Sequence, residues 1–183
     1  MASSEIHAVS TVSGNQPRVR RIIEEATQTF KAGTPLELLT DGGLGEWTLT
    51  HVTNQLAGFS LEYGSSLTTL GVPKTLTFGS VPYESSAVNI PRGAPLNDGR
   101  VGLEIASPDT IFRGQVGPAQ TAVITNIGVQ YGMAKDSDGH WYVDLTNTTN
   151  KAVTIVKLDP QDQSATPRGV YFTVVPAAAS ITA

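Results

Sequence analysis

The chain contains no cysteine. Disulfide staples, iron–sulfur clusters and thiol catalysis are therefore excluded, and the absence fits synthesis in a reducing cytosol. Charge is scarce as well: Asp, Glu, Lys and Arg make up 15% of the residues, against a typical figure of about 25%. A surface so poor in charge is either covered by Ser, Thr and Asn or buried against partners. The formal net charge is −4, and no basic footprint of the kind that holds nucleic acid is visible. No apolar run approaches the roughly 20 residues that span a bilayer, so no membrane partner is expected. The first residues, MASSEIHAVSTVSG, lack a basic segment followed by an apolar one, so a signal peptide is not expected. Long Ala, Leu, Glu and Lys runs are missing too, which weakens the case for helices.

What is present favours strands and turns. Thr is abundant, and the 183 residues include 18 Gly and 11 Pro. Pro35–Leu39, Leu56–Leu61, Ala122–Gln130, His140–Leu145, Val153–Leu158 and Val170–Val175 read as strands. In His140–Leu145, Trp141 and Val143 share one face while Tyr142 and Asp144 share the other. Asp41-Gly42-Gly43 and Asp136-Ser137-Asp138-Gly139 are turn signals, the second between two apolar runs as in a hairpin. Gly58 inside a strand suggests a bulge or a close backbone approach.

The organisation follows from these signals. Residues 1–29 read as an extended N-terminal arm, with 17–29 either a short helix or equally a strand running into Phe30, and an extended or mixed arm preferred. Residues 30–176 form a β-rich body and 177–183 a flexible tail. Within the body, 64–118 is an irregular Pro/Gly-rich middle segment, either an insertion or a second lobe. A structureless loop of that length is improbable in a compact domain, so part of it should be ordered by packing. The fold class is all-β, a small barrel-like or sandwich-like body.

Chemistry is hard to find. His7, His51 and His140 lie far apart and fit no metal-ligand spacing. Asp136-x-Asp138-Gly139 resembles the start of a calcium loop, but the twelfth position is Asn147 rather than Glu, so a turn is the better reading. No Ser sits in a G-x-S-x-G elbow, and Gly114-Gln115-Val116-Gly117 lacks the Lys and Ser/Thr of a phosphate loop. The adjacent Glu24 and Glu25 would point to different sides of an element. Asn147-Thr148-Thr149 is a glycosylation sequon of the kind common by chance. No catalytic residue, cofactor or metal is expected, and the chain is not read as an enzyme. The basic cluster Arg18, Arg20 and Arg21, next to Ile22 and Ile23, suits a docking arm better than a nucleic-acid reader. Among the aromatics on expected strands, Trp47, Phe59, Trp141 and Tyr142 are candidates for a subunit interface, with core packing as the alternative.

Two segments carry a resemblance. FKAGTPLELL, followed about 20 residues on by LAGFSLEYG, resembles the head decoration (cement) proteins of tailed bacteriophages, the type best known from phage lambda. The later blocks YGMAKDSDGHWYVDLTN, VTIVKLDP and GVYFTVVPA are similar to phage structural proteins of this kind. The resemblance implies a virion protein on the capsid exterior, made in the bacterial cytoplasm. Its partners would be the major capsid protein and further copies of itself in a homotrimer. It also implies that the N-terminal arm adds a strand to the capsid protein. The length of the chain and its 64–118 segment depart from the family pattern. Alternatives are a tail or baseplate component, or a carbohydrate-binding β-module.

Overall fold

The computed structural model describes residues 5–25, 28–40, 42–48, 56–64 and 100–179, with the backbone of 77–78 and 81–82. In chain order the strands are β1 (His7–Thr11), β2 (Val19–Ile23), β3 (Pro35–Leu38), β4 (Leu44–Glu46), β5 (Leu56–Ser60), β6 (Thr77–Phe78) and β7 (Val81–Pro82). They continue as β8 (Arg100–Ile105), β9 (Thr110–Gln115), β10 (Gln130–Lys135), β11 (Trp141–Asp144), β12 (Val153–Leu158) and β13 (Gly169–Val174). The fold is all-β, and of the two expected bodies it is the sandwich. One sheet has six strands in the order β1-β9-β13-β12-β10-β11, and the other five in the order β2-β8-β5-β3-β4. Every pairing within them is antiparallel. The five-stranded sheet curls until Glu24, just past β2, makes one bridge to Leu44 on β4. A single bridge does not close a barrel.

The sheets meet over a large apolar cluster. Phe59 from β5 packs on Phe112 from β9 with ring centroids 4.6 Å apart, and Phe172 from β13 completes the group. A smaller cluster, Phe30, Leu36, Leu44, Ala57, Val101 and Leu103, fills the curl of the five-stranded sheet. Strand β5 serves both: Leu56 and Phe59 enter the large cluster and Ala57 the small one. Its five residues are all buried, so its sequence is a continuous apolar run rather than an alternation. Gly58 is required here, because a Cβ would lie 2.1 Å from the Glu104 carbonyl oxygen.

Four expectations need correction. The N-terminal arm is largely part of the body: β1 pairs with β9 and β2 with β8, so the 1–29 segment supplies an outer strand to each sheet. Backbone pairing satisfied both segments where their own apolar content was too low to signal it. Much of 64–118 lies outside the described residues, but its end is neither insertion nor lobe, since β8 and β9 are interior strands of the two sheets. Ala122–Gln130 is not a strand. It forms a loop with a 3-10 turn at Ile124–Asn126, because the Asn126 side chain accepts the Val123 N–H at 2.8 Å and Gly128 takes φ +81. The expected tail begins inside the core, with Ala178 and Ala179 buried and the Leu56 N–H donating to the Ala178 carbonyl.

Candidate functional site

The docking candidates lie on β2, an edge of the five-stranded sheet. Their exposure does not follow a strict alternation along the strand. Arg18, Arg20 and Ile23 are exposed. Val19, not singled out from the sequence, is 54% exposed. Arg21 is committed inward: its Nη1 donates to Glu62 Oε1 at 2.6 Å and its Nη2 to the Arg100 carbonyl at 2.8 Å. Ile22 packs on the small cluster. Register shows where the backbone points. The Ile105 N–H donates to the Arg18 carbonyl, and Val19 and Ile23 lie opposite Glu104 and Arg100. In an antiparallel ladder, hydrogen-bonded and non-bonded pairs alternate. Val19 and Ile23 therefore aim their N–H and C=O groups away from β8; beside Ile23 that side meets β4, through the Glu24–Leu44 bridge and the Glu25 N–H donating to the Leu44 carbonyl, whereas Val19 lies on the open part of the edge.

The aromatic candidates are mostly interior. Trp47, Phe59 and Trp141 are 2%, 0% and 4% exposed, so they pack the body instead of an interface. The Trp47 and Trp141 rings sit 5.7 Å apart, and Trp141 Nε1 donates to Glu46 Oε1 at 2.8 Å. The indole N–H thereby finds a partner on the opposite sheet. Tyr142 is half-buried. Burial, with the carboxylates of Asp144 and Asp136, raises its phenol pKa.

One end of the sandwich carries an open cleft of about 860 Å³, built from loops of both sheets. Lys31 and Tyr63 come from the five-stranded side; Gln115, the hairpin tip Asp136–His140 and the loop Asp162–Arg168 come from the other. Asp136 does the work of a turn residue, its Oδ1 accepting the N–H groups of Asp138 and His140 at 3.0 and 2.8 Å. Burial works to raise its pKa, but those bonds and the His140 and Lys31 charges hold it below the usual carboxylate value. His140 bridges the two sides, with Nδ1 3.7 Å from Asp136 Oδ2 and Nε2 3.4 Å from Lys31 Nζ. Asp162 pins the other wall by accepting from the Arg168 and Gly169 N–H groups and the Ser164 hydroxyl, which hold its pKa far below the ordinary value. The calcium-loop likeness is thus a hairpin turn. Among the described residues no three metal-ligating side chains gather.

No family model, curated protein or solved structure matches this chain.

His7 is a residue of edge strand β1, and His51 lies outside the described residues. Glu24 is buried and Glu25 half-buried. The Asn147 side chain of the sequon covers Gly132, where a Cβ would meet its Nδ2 at 2.3 Å. Val123, Ile124, Ile127 and Val129 are exposed on the loop between β9 and β10, and Val156 of β12 is exposed as well. A sequence signal existed: no residue from Gly114 to Ala134 carries a charge, the longest such run in the chain.

Proposed function

We propose that this chain is a structural virion protein that binds the outer surface of a phage capsid and stabilises it, with the major capsid protein as its partner. The observation that carries the reading is the part of the β2 edge around Val19, away from the end that the Glu24–Leu44 bridge occupies. The outward backbone groups of Val19 accompany exposed apolar and basic side chains, Val19, Arg18 and Arg20. An open edge binds an extended segment of another chain through main-chain hydrogen bonds and needs no dedicated chemistry. The FKAGTPLELL and LAGFSLEYG segments support the same reading, and their strands β3 and β5 lie in the sheet whose edge is β2.

Deleting residues 1–30 is not a clean test, because it removes a strand from each sheet. Val19→Pro is cleaner: it takes away an outward N–H while leaving the bonds to β8, which an edge position tolerates. Wild-type protein added to undecorated, expanded heads should bind and raise their melting temperature, and Val19→Pro should weaken binding at least tenfold with its own fold intact. Failure of the wild type to bind would remove the capsid reading. Full-strength binding by Val19→Pro would remove strand addition. The cleft favours a second reading, a module for a polar ligand such as a sugar; that reading predicts binding to soluble oligosaccharides and none to heads.

A further inference from the structure

Two sheets leave four edges, and among the described residues three of them are blunted or covered. On β1 the Ala8 N–H is taken by the Glu104 carboxylate, and the register breaks between Ala8 and Ser10. On β11 the Val143 carbonyl accepts the Gly117 N–H at 3.2 Å, and on β4 the Leu44 carbonyl accepts the Glu25 N–H at 2.9 Å. The stretch of β2 around Val19 is left. It is short: Pro17 has no N–H to give, and past Ile23 the edge meets β4. Main-chain bonds to an added strand are therefore few, so side chains must decide which strand is accepted.

The charged side chains there carry one sign. Strand β2 pairs with β8 without a register shift, and the bond from the Ile105 N–H carries the pairing back to Arg18. Arg18 and Arg20 thus stand on one face of the strand about 7 Å apart, with Val19 between them on the other. Both are exposed, and neither forms an ion pair among the described residues. Arg21, the next residue, is by contrast paired with Glu62 at 2.6 Å. The chain as a whole stands at −4, so this edge is a basic exception on an acidic molecule.

Charge and backbone together identify the occupant. A strand laid along the edge sets alternate side chains opposite Arg18 and Arg20, where opposite charges attract and like charges repel. Two copies of β2 would set guanidinium against guanidinium, so self-pairing through this edge is disfavoured. A nucleic acid or a lipid surface meets guanidinia equally well but has no peptide groups to match the outward N–H and C=O of Val19. We propose that the β2 edge selects an extended acidic segment of its partner, with carboxylates at two alternate positions and an apolar residue between them on the side of Val19. The proposal rests on the strand-addition reading of β2 and adds the partner's charge to it.

The test uses the full chain and three short capped peptides: one alternating Glu and Val, one with Gln in place of Glu, and one with Lys. The Glu peptide should shift the Val19 amide resonance and bind at least about fivefold tighter than the Gln peptide, and the Lys peptide should not bind. A tenfold rise in salt should weaken the Glu peptide and leave the Gln peptide unchanged. Arg18→Gln combined with Arg20→Gln should remove the preference for Glu, with near-ultraviolet circular dichroism unchanged. Equal binding of the Glu and Gln peptides overturns the proposal, as does a wild type that does not bind the Glu peptide, or binds it away from β2. Heads separate this proposal from the capsid reading. A wild type that ignores heads but takes the Glu peptide on β2 removes the capsid and keeps the acidic strand. Binding to heads that Val19→Pro weakens and the double Arg variant does not keeps strand addition to the capsid and removes the acidic strand.

Discussion

The two apolar clusters of this sandwich are built on different terms. The large one, between the sheets, is aromatic and nearly free of charge, with Phe59, Phe112, Phe172, Trp47 and Trp141 at its centre. The small one, inside the curl of the five-stranded sheet, has six buried residues, and the sheet that carries it also carries buried carboxylates. Glu24, Glu37, Glu62 and Glu104 are all at most 8% exposed and lie on or just beyond β2, β3, β5 and β8. Buried carboxylates must be bonded. Glu62 accepts from Arg21 and from the Gly102 N–H at 2.7 Å, and Glu104 from the Ala8 N–H. The large cluster is held by area and shape, whereas the five-stranded sheet adds polar groups bonded across distant segments.

The widest gap between the two should appear on truncating a central residue of each. Phe112→Ala removes a ring packed on two others and should cost about 3–5 kcal/mol, while Leu103→Ala should cost about 2–4 kcal/mol. Because β5 contributes to both clusters, both variants should still unfold in one transition. Urea unfolding followed by Trp fluorescence and by far-ultraviolet circular dichroism checks this, since coincident curves mark a two-state process. Separate transitions in Leu103→Ala would show that the small cluster is an independent unit.

The same contrast explains what the sequence made legible. Strand β11 could be read because Trp141 and Val143 alternate with Tyr142 and Asp144, and its hairpin because Asp136–Gly139 is a local turn. Strands β3, β5, β12 and β13 announced themselves through apolar or β-branched content. Strands β8 and β9 were legible as short apolar pieces, but their Pro- and Gly-rich surroundings hid that they are interior strands of the two sheets. Ala122–Gln130 misled in the opposite sense. Its apolar residues looked like a strand, but a side chain–backbone bond from Asn126 and the left-handed Gly128 direct them to solvent. The β2 edge was legible as a basic segment, helix or strand, but its place in a sheet was not, because its partner β8 lies about 80 residues away in sequence. Glu104 and Ala8 are 96 positions apart, and no local pattern could pair them.

A smaller effect should separate the clusters by pH. The folded pKa values of Asp162, Asp144 and Asp136 are lowered, and all three sit on β11 or the loops of the six-stranded sheet. For Asp162 the Arg168 N–H is the leading cause, followed by the Ser164 hydroxyl and the Gly169 N–H. A lowered carboxylate contributes stability that is present above its unfolded pKa, near 3.9, and lost as pH falls through the folded value. Melting temperature should therefore decline as pH drops below about 4. Asp162→Asn should melt lower than wild type at pH 7 and show a shallower acid decline. An unchanged acid slope in the variant would move the source of the decline to another group.

The least effect is expected where the sheets are joined by charge. Glu46 Oε1 accepts from Lys135 Nζ at 2.6 Å and from Trp141 Nε1 at 2.8 Å, linking β4 to β10 and β11. The ion pair is partly open to water, with its side chains 36% and 28% exposed. Pairs of that kind contribute about 0–1 kcal/mol and weaken with salt. Lys135→Met keeps most of the aliphatic stem and should change stability by less than about 1 kcal/mol. Glu46→Ala should cost more, about 1–3 kcal/mol, because it strands the indole N–H of a Trp that is 4% exposed. If thermal unfolding instead ranks Lys135→Met as the more damaging, the sheets are joined at this end by charge. If Glu46→Ala is the worse, even the polar tie between the sheets is a fixture of the aromatic core, and the charge beside it adds little.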